Sequence, residues 1–146
     1  TIDYLTKKLQ PLSQFLETPF VKEGCRHVYY LYAIKYKRSP EMPSREKIVE
    51  ALCAEGFPVR NGFQKPLYLF RMYQERKAYA GSESTVWGPL YQGNVSYEKG
   101  ICPTVERIEE NEMITFHVEH VDLTMKDVDL IASACEKVFA NLEELD

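Results

Sequence analysis

A chain of 146 residues is long enough for one domain with a real core and short for a complete metabolic enzyme. Its apolar fraction of 45%, charged fraction of 27% and formal charge of −4 suit a globular protein and supply no basic patch to neutralise nucleic-acid phosphates. No apolar run reaches the length of a membrane span and the first residues show no signal-peptide pattern, so no membrane partner and a cytoplasmic location are expected.

The first element is already running at Ile2. Leu5, Leu9, Leu12 and Leu16 recur on one face of a helix predicted over residues 2–17, which Pro11 kinks or restarts and Thr18-Pro19 ends. A start at Thr1 inside an amphipathic pattern is what a cut within a longer polypeptide would leave. Arg26 to Lys37 is dense in β-branched and aromatic residues and reads as a strand, with Val28, Tyr30, Tyr32, Ile34 and Tyr36 on one face and Tyr29, Leu31 and Ala33 on the other. Both faces are apolar, the pattern of a strand covered on both sides, one of them by a partner or another domain.

Ser44 is the expected N-cap of a second helix, with Ile48, Val49, Leu52 and Cys53 as its buried stripe and Gly56 as its left-handed terminator. A short strand, Phe57 to Arg60, follows. Asn61 to Tyr73 is irregular and aromatic, and Gln74 to Gly100 reads as a long loop. Pro103 opens a helix to about Asn111, Glu112 to Val121 reads as a strand, and Thr124 with Asp127 makes a capping box for the last helix. That helix places Val128, Ile131, Ala134, Cys135, Val138, Phe139 and Leu142 inward. The order predicts an α+β fold, a small mostly antiparallel sheet with helices packed mainly on one face.

Candidates for chemistry are few. Cys25, Cys53, Cys102 and Cys135 form no metal-ligand pair and read as reduced thiols. His117 and His120 lie three apart on a predicted strand, so their side chains should point to opposite faces, and no metal site is expected. No hydrolase triad spacing, glycine-rich phosphate loop or dinucleotide fingerprint is present. The acidic pairs Glu109-Glu110 and Glu143-Glu144 read as solvated helix faces. The stretch Gly56 to Tyr73 differs: Asn61-Gly62-Phe63 turns the chain and Lys65-Pro66-Leu67-Tyr68 follows, so glycine would allow close backbone approach and tyrosine a ring with a hydroxyl. A buried turn is the competing reading.

In order and spacing these segments resemble the C-terminal domain of the DegT/StrS-type sugar aminotransferases. The carriers are His27-Val28-Tyr29-Tyr30-Leu31-Tyr32, the helix with Arg45, Leu52 and Glu55-Gly56-Phe57-Pro58-Val59, the loop Asn61 to Tyr73, Cys102-Pro103 with Glu106, and the His117 strand leading to Leu123-Thr124-Asp127-Val128. Gly62-Phe63 stands where the family commonly has histidine-tyrosine or glycine-tyrosine. Counting from Cys102-Pro103 marks His117 as the family histidine; counting back from Leu123-Thr124 marks His120.

The resemblance implies a fold-type-I enzyme whose pyridoxal 5'-phosphate and cofactor-binding lysine belong to a large domain of the same polypeptide, absent from this chain. Residues 1–20 would be an interdomain connector helix and 21–146 the small domain. It implies a homodimer that transfers an amino group from glutamate or glutamine to a nucleotide-linked keto-sugar or a ketocyclitol. No catalytic residue is expected in this chain, which alone should be inactive; Phe63, Tyr68 and His117 are the candidate substrate-binding residues. The alternative is a non-catalytic binding or interaction domain derived from the same fold.

Overall fold

A computed structural model describes residues 1–76, 88 and 91–145. The chain forms two compact units, Thr1–Phe63 with Glu110–Asp146, and Gln64–Glu109.

The first unit is built on a four-stranded sheet whose strands are β1 (Leu16–Glu17), β2 (Tyr32–Tyr36), β3 (Val59–Asn61) and β4 (Met113–Phe116). Their spatial order is β1-β2-β4-β3 and every pairing is antiparallel. Register sorts the side chains by face. Leu16 lies opposite Tyr36, Ile34 opposite Ile114, and Phe116 between Tyr32 and Val59. These residues share one face and are buried together with Leu5 and Leu9 of α1 (Ile2–Leu9), Ile48 and Leu52 of α2 (Arg45–Ala54), and Val128, Cys135 and Phe139 of α5 (Met125–Ala140). This is the expected α+β arrangement, with helices mainly on one face. The other face carries Ala33, Lys35, Arg60, Met113 and Thr115.

Two tyrosines in this core keep their hydroxyls satisfied. Tyr32 shares a 2.9 Å hydrogen bond with Thr6, and Tyr36 donates to the carbonyl of Pro43 at 3.1 Å. Without such partners a buried hydroxyl would cost about 1–3 kcal/mol. Burial pushes the Tyr32 phenol and the Cys135 thiol each up to about 12, so Cys135 packs as an inert apolar side chain.

The helix ends follow local chemistry. Ser44 accepts from the Lys47 amide at the start of α2, and Gly56, at φ 93°, ends it. Thr124 and Asp127 form the expected capping box, with the Thr124 amide on the Asp127 carboxylate at 2.9 Å and the Asp127 amide on Thr124 Oγ1 at 3.2 Å. Val128, Ile131, Ala134, Cys135, Val138 and Phe139 are buried as predicted, and Leu142 is partly buried on a following 3₁₀ turn.

Several boundaries differ from the sequence reading. The first α-helix ends at Leu9; Gln10–Leu12 forms a 3₁₀ turn around Pro11, and Leu16 enters the core from a strand. The aromatic strand spans Tyr32–Tyr36 only, and Val28 and Tyr30 are exposed. The strand before Asn61 is displaced to Val59–Asn61, and Cys53 is exposed, its thiol on the Val59 carbonyl. The last strand ends at Phe116, so His117 lies beyond it and residues 118–120 form a 3₁₀ turn. Opposite faces on one strand therefore do not describe the two histidines. Glu109-Glu110 falls in a π-helical stretch, Ile108–Glu112, and Glu143-Glu144 is exposed on a 3₁₀ turn rather than an α-helix.

In the second unit, Leu67–Leu69 is a 3₁₀ turn followed by α3 (Arg71–Gln74), and Pro103 starts α4 (Pro103–Arg107) as expected. The loop expected from Gln74 to Gly100 lies largely outside the described residues.

Phe116 is 2% exposed and stacks edge-on against Phe57 at 5.0 Å. Phe116→Ala should cost about 3–5 kcal/mol of stability, and Thr124→Ala, which removes a cap, about 1 kcal/mol. Urea titrations of both variants check this; equal costs would mean that Phe116 does not anchor the core.

Candidate functional site

The site is assembled from β4 outward. Gly62 follows β3 with φ 59°, a left-handed backbone that favours glycine. Its amide donates to the Met113 carbonyl at 2.8 Å and its carbonyl accepts from the buried Thr115 hydroxyl at 2.6 Å. Gly62 is thus pinned to the non-core face of β4, and Phe63 leaves from a fixed point.

Phe63 lies 6.1 Å from the ring of His117 and 6.3 Å from Tyr30, edge-on to the latter. Phe63 is 42% and Tyr30 60% exposed, so the rings present an open aromatic face. His117 is half-buried, and its Nδ1 is 2.9 Å from Glu119 Oε1, which fixes the ring's orientation. The structure therefore brings together two of the expected residues, Phe63 and His117. It adds Tyr30 and Glu119. Tyr30 counted in sequence as a core-facing strand residue, and Glu119 carried no motif; spacing two residues from His117 was its only signal. His27 stacks on Tyr29 at 4.0 Å outside this group.

Tyr68 belongs to the second unit. Its hydroxyl donates to Glu106 Oε1, and its carbonyl accepts from the Gln74 side chain at 2.7 Å. Glu106 is only 8% exposed and also accepts from the amides of Gly100 at 2.7 Å and Cys102 at 3.4 Å. The Tyr68 hydroxyl, then the Gly100 amide, hold its carboxyl below the ordinary carboxylate range, with Lys99 adding attraction. In the same unit Gln74 also reaches the Tyr97 carbonyl, and the Tyr73 ring lies tilted against Tyr97 with centroids 5.6 Å apart.

Other concave surface offers less chemistry. An apolar groove of about 560 Å³ in the first unit runs past Phe57, Pro58, Leu123 and Leu130. Its charged groups are already engaged, Asp127 in the capping box and Glu55 with Lys137 at 2.7 Å. Among the described residues no group of histidine, cysteine and acidic side chains could hold a metal, and no helix is long and apolar enough to cross a membrane.

A layered α+β unit carrying an exposed aromatic face is the class of domain that these observations define. The chain matches the model of the DegT/DnrJ/EryC1/StrS aminotransferase family over residues 1–98, and it belongs to that family. Its fold is similar to that of an aminotransferase from Psychrobacter cryohalolentis, with a TM-score of 0.64 at 18% identity over 97% of this chain. The chain spans 33% of the length of that enzyme. No curated protein sequence matches the chain.

Enzymes of this family generally use pyridoxal phosphate, whose anchoring lysine must be desolvated. No described lysine is buried: Lys8, Lys35 and Lys137 pair with Asp129, Glu17 and Glu55, and Lys65 lies over the exposed Phe70 ring. Lys77 lies outside the described residues. None of the described lysines therefore offers the cofactor a desolvated amine.

Because the Glu106 carboxyl is depressed in the folded chain below 4.5, its contribution to stability is complete above that pH and is lost as pH falls through the folded value. The stability difference between the native chain and Glu106→Gln should therefore shrink between pH 5 and pH 3. Urea midpoints at several pH values measure it, and a difference that stays constant would contradict an ionised Glu106.

Proposed function

We propose that this chain is the small C-terminal domain of a pyridoxal-phosphate-dependent aminotransferase acting on a nucleotide-linked keto-sugar or a ketocyclitol, with glutamate or glutamine as donor. Residues 1–20 connect it to a large domain of the same polypeptide, and the enzyme works as a cytoplasmic homodimer. The observation that carries this reading is the family match joined to the open face of Tyr30, Phe63 and His117.

A sugar ring has flat patches of C–H bonds and a rim of hydroxyls. Exposed aromatic rings offer apolar surface for the first and an oriented imidazole a hydrogen-bonding group for the second. Phe63 and Tyr30 supply the surface and His117, held by Glu119, the polar contact. Tyr68, in the second unit, is taken separately as a substrate-binding hydroxyl. Pyridoxal phosphate, held by the large domain, supplies the electron sink for amino transfer. This chain's own residues bind and orient the keto substrate, which raises the rate by positioning.

The gene upstream should encode a large domain with the cofactor-binding lysine; a gene without one favours the alternative, a non-catalytic binding domain on the same fold. The purified 146-residue chain should gain no lysine-dependent visible absorbance from added cofactor. In the complete polypeptide, Phe63→Leu keeps apolar bulk but loses the flat ring. It should lower kcat/KM for the keto substrate about fivefold to tenfold, the worth of one aromatic contact, with cofactor absorbance unchanged. An unchanged kcat/KM would remove Phe63 from the pocket.

A further inference from the structure

The second unit contains a buried carboxylate that the site description leaves without a task. Glu106 sits in α4, thirty-eight residues from Tyr68 in sequence, and a single oxygen of its side chain takes three donors. Two are backbone amides of the turn that leads into α4, at Gly100 and Cys102. The third is the Tyr68 hydroxyl.

We propose that Glu106 is the positioning residue for Tyr68: its carboxylate fixes the hydroxyl and ring of Tyr68 against the Gly100–Cys102 turn, and so sets where that hydroxyl meets the keto substrate. The inference deepens the functional reading above and rests on it for the role of Tyr68.

The geometry holds Tyr68 at both ends. Gln74 grips its carbonyl and Glu106 its hydroxyl, so neither the backbone nor the ring can turn without breaking a hydrogen bond. Hydrogen bonds to an ionised acceptor are roughly twice as strong as neutral ones. The depressed carboxyl of Glu106 keeps that acceptor ionised at neutral pH. A solvated surface glutamate would leave Tyr68 to sample its rotamers; this one is 8% exposed and its hydrogen bonds stay within the unit.

The test is a double-mutant cycle in the complete polypeptide with Glu106→Ala and Tyr68→Phe, read separately for the amino-donor and keto-substrate half-reactions. Glu106→Ala should lower kcat/KM for the keto substrate about tenfold and, in the Tyr68→Phe background, less than about twofold, because the two act as one unit. The donor half-reaction and cofactor absorbance should not move, whereas a general loss of folding would lower all three. Glu106→Gln keeps an oxygen at the same reach and should restore most of the loss. Should Glu106→Ala not fold, Glu106→Asp, which draws the carboxylate back by one methylene, takes its place in the cycle. Equal losses from the glutamate variant with and without the Tyr68 hydroxyl would overturn the positioning role while leaving the pocket reading intact. A Tyr68→Phe enzyme with unchanged kcat/KM would overturn the substrate-binding role of Tyr68 itself. Independently, the Gly100 and Cys102 amides of this chain should exchange slowly with solvent and faster in Glu106→Ala; equal exchange would contradict the clasp.

Discussion

The structure depends on the two faces of a single four-residue strand. β4 lies between β2 and β3, so its backbone is paired on both sides. Ile114 and Phe116 carry the core against the three helices. Thr115, with no exposed surface, faces the other way and gives its hydroxyl to the Gly62 carbonyl. One strand thus holds the fold together and aims the loop that bears Phe63, while His117 follows directly from its end. Core packing and the aromatic face share this strand: a shift of β4 by one residue would exchange its two faces.

That coupling explains why a small domain can carry a precise surface. Phe63 is exposed and would wander on an ordinary loop. Gly62 removes that freedom by taking a left-handed backbone and bonding to β4 through both its amide and its carbonyl. Glu119 does the same for the His117 ring through Nδ1. In the second unit, Glu106 and Gln74 fix Tyr68. In each case a short polar contact, not added apolar bulk, sets the direction of an aromatic or imidazole ring.

Burial was more legible in the sequence than element type. Leu5, Leu9, Leu12 and Leu16 are all buried, as their spacing says, yet Leu16 arrives on a strand because Pro11 has no amide to continue the helix. Tyr32, Ile34 and Tyr36 are buried as read, but residues 26–31 lack a ladder partner: β4 pairs with β2 only from Tyr32 to Lys35, and β1 reaches only Lys35 and Tyr36. Strand-like composition marks a surface that suits a sheet, and pairing decides where the strand stops. That is why Tyr30 leaves the core and joins Phe63. Phe63 and His117 were legible through the family resemblance and the glycine turn. Glu119 and the task of Glu106 were not, since a side-chain hydrogen bond across a fold leaves no periodic trace. Cys53 was misplaced because it sits at the edge of the α2 stripe, where one position turns burial into exposure.

The most direct measurement of this account is a set of proton–proton Overhauser contacts between the Phe63 and His117 rings, in the native chain and in Thr115→Val. Valine keeps the shape of threonine and removes the hydroxyl that holds Gly62. The native chain should show the contacts, as rings with centroids 6.1 Å apart must, and the variant should remain folded and lose most of their intensity. Contacts missing from the native chain, or undiminished in the variant, would contradict the claim that β4 positions the aromatic face.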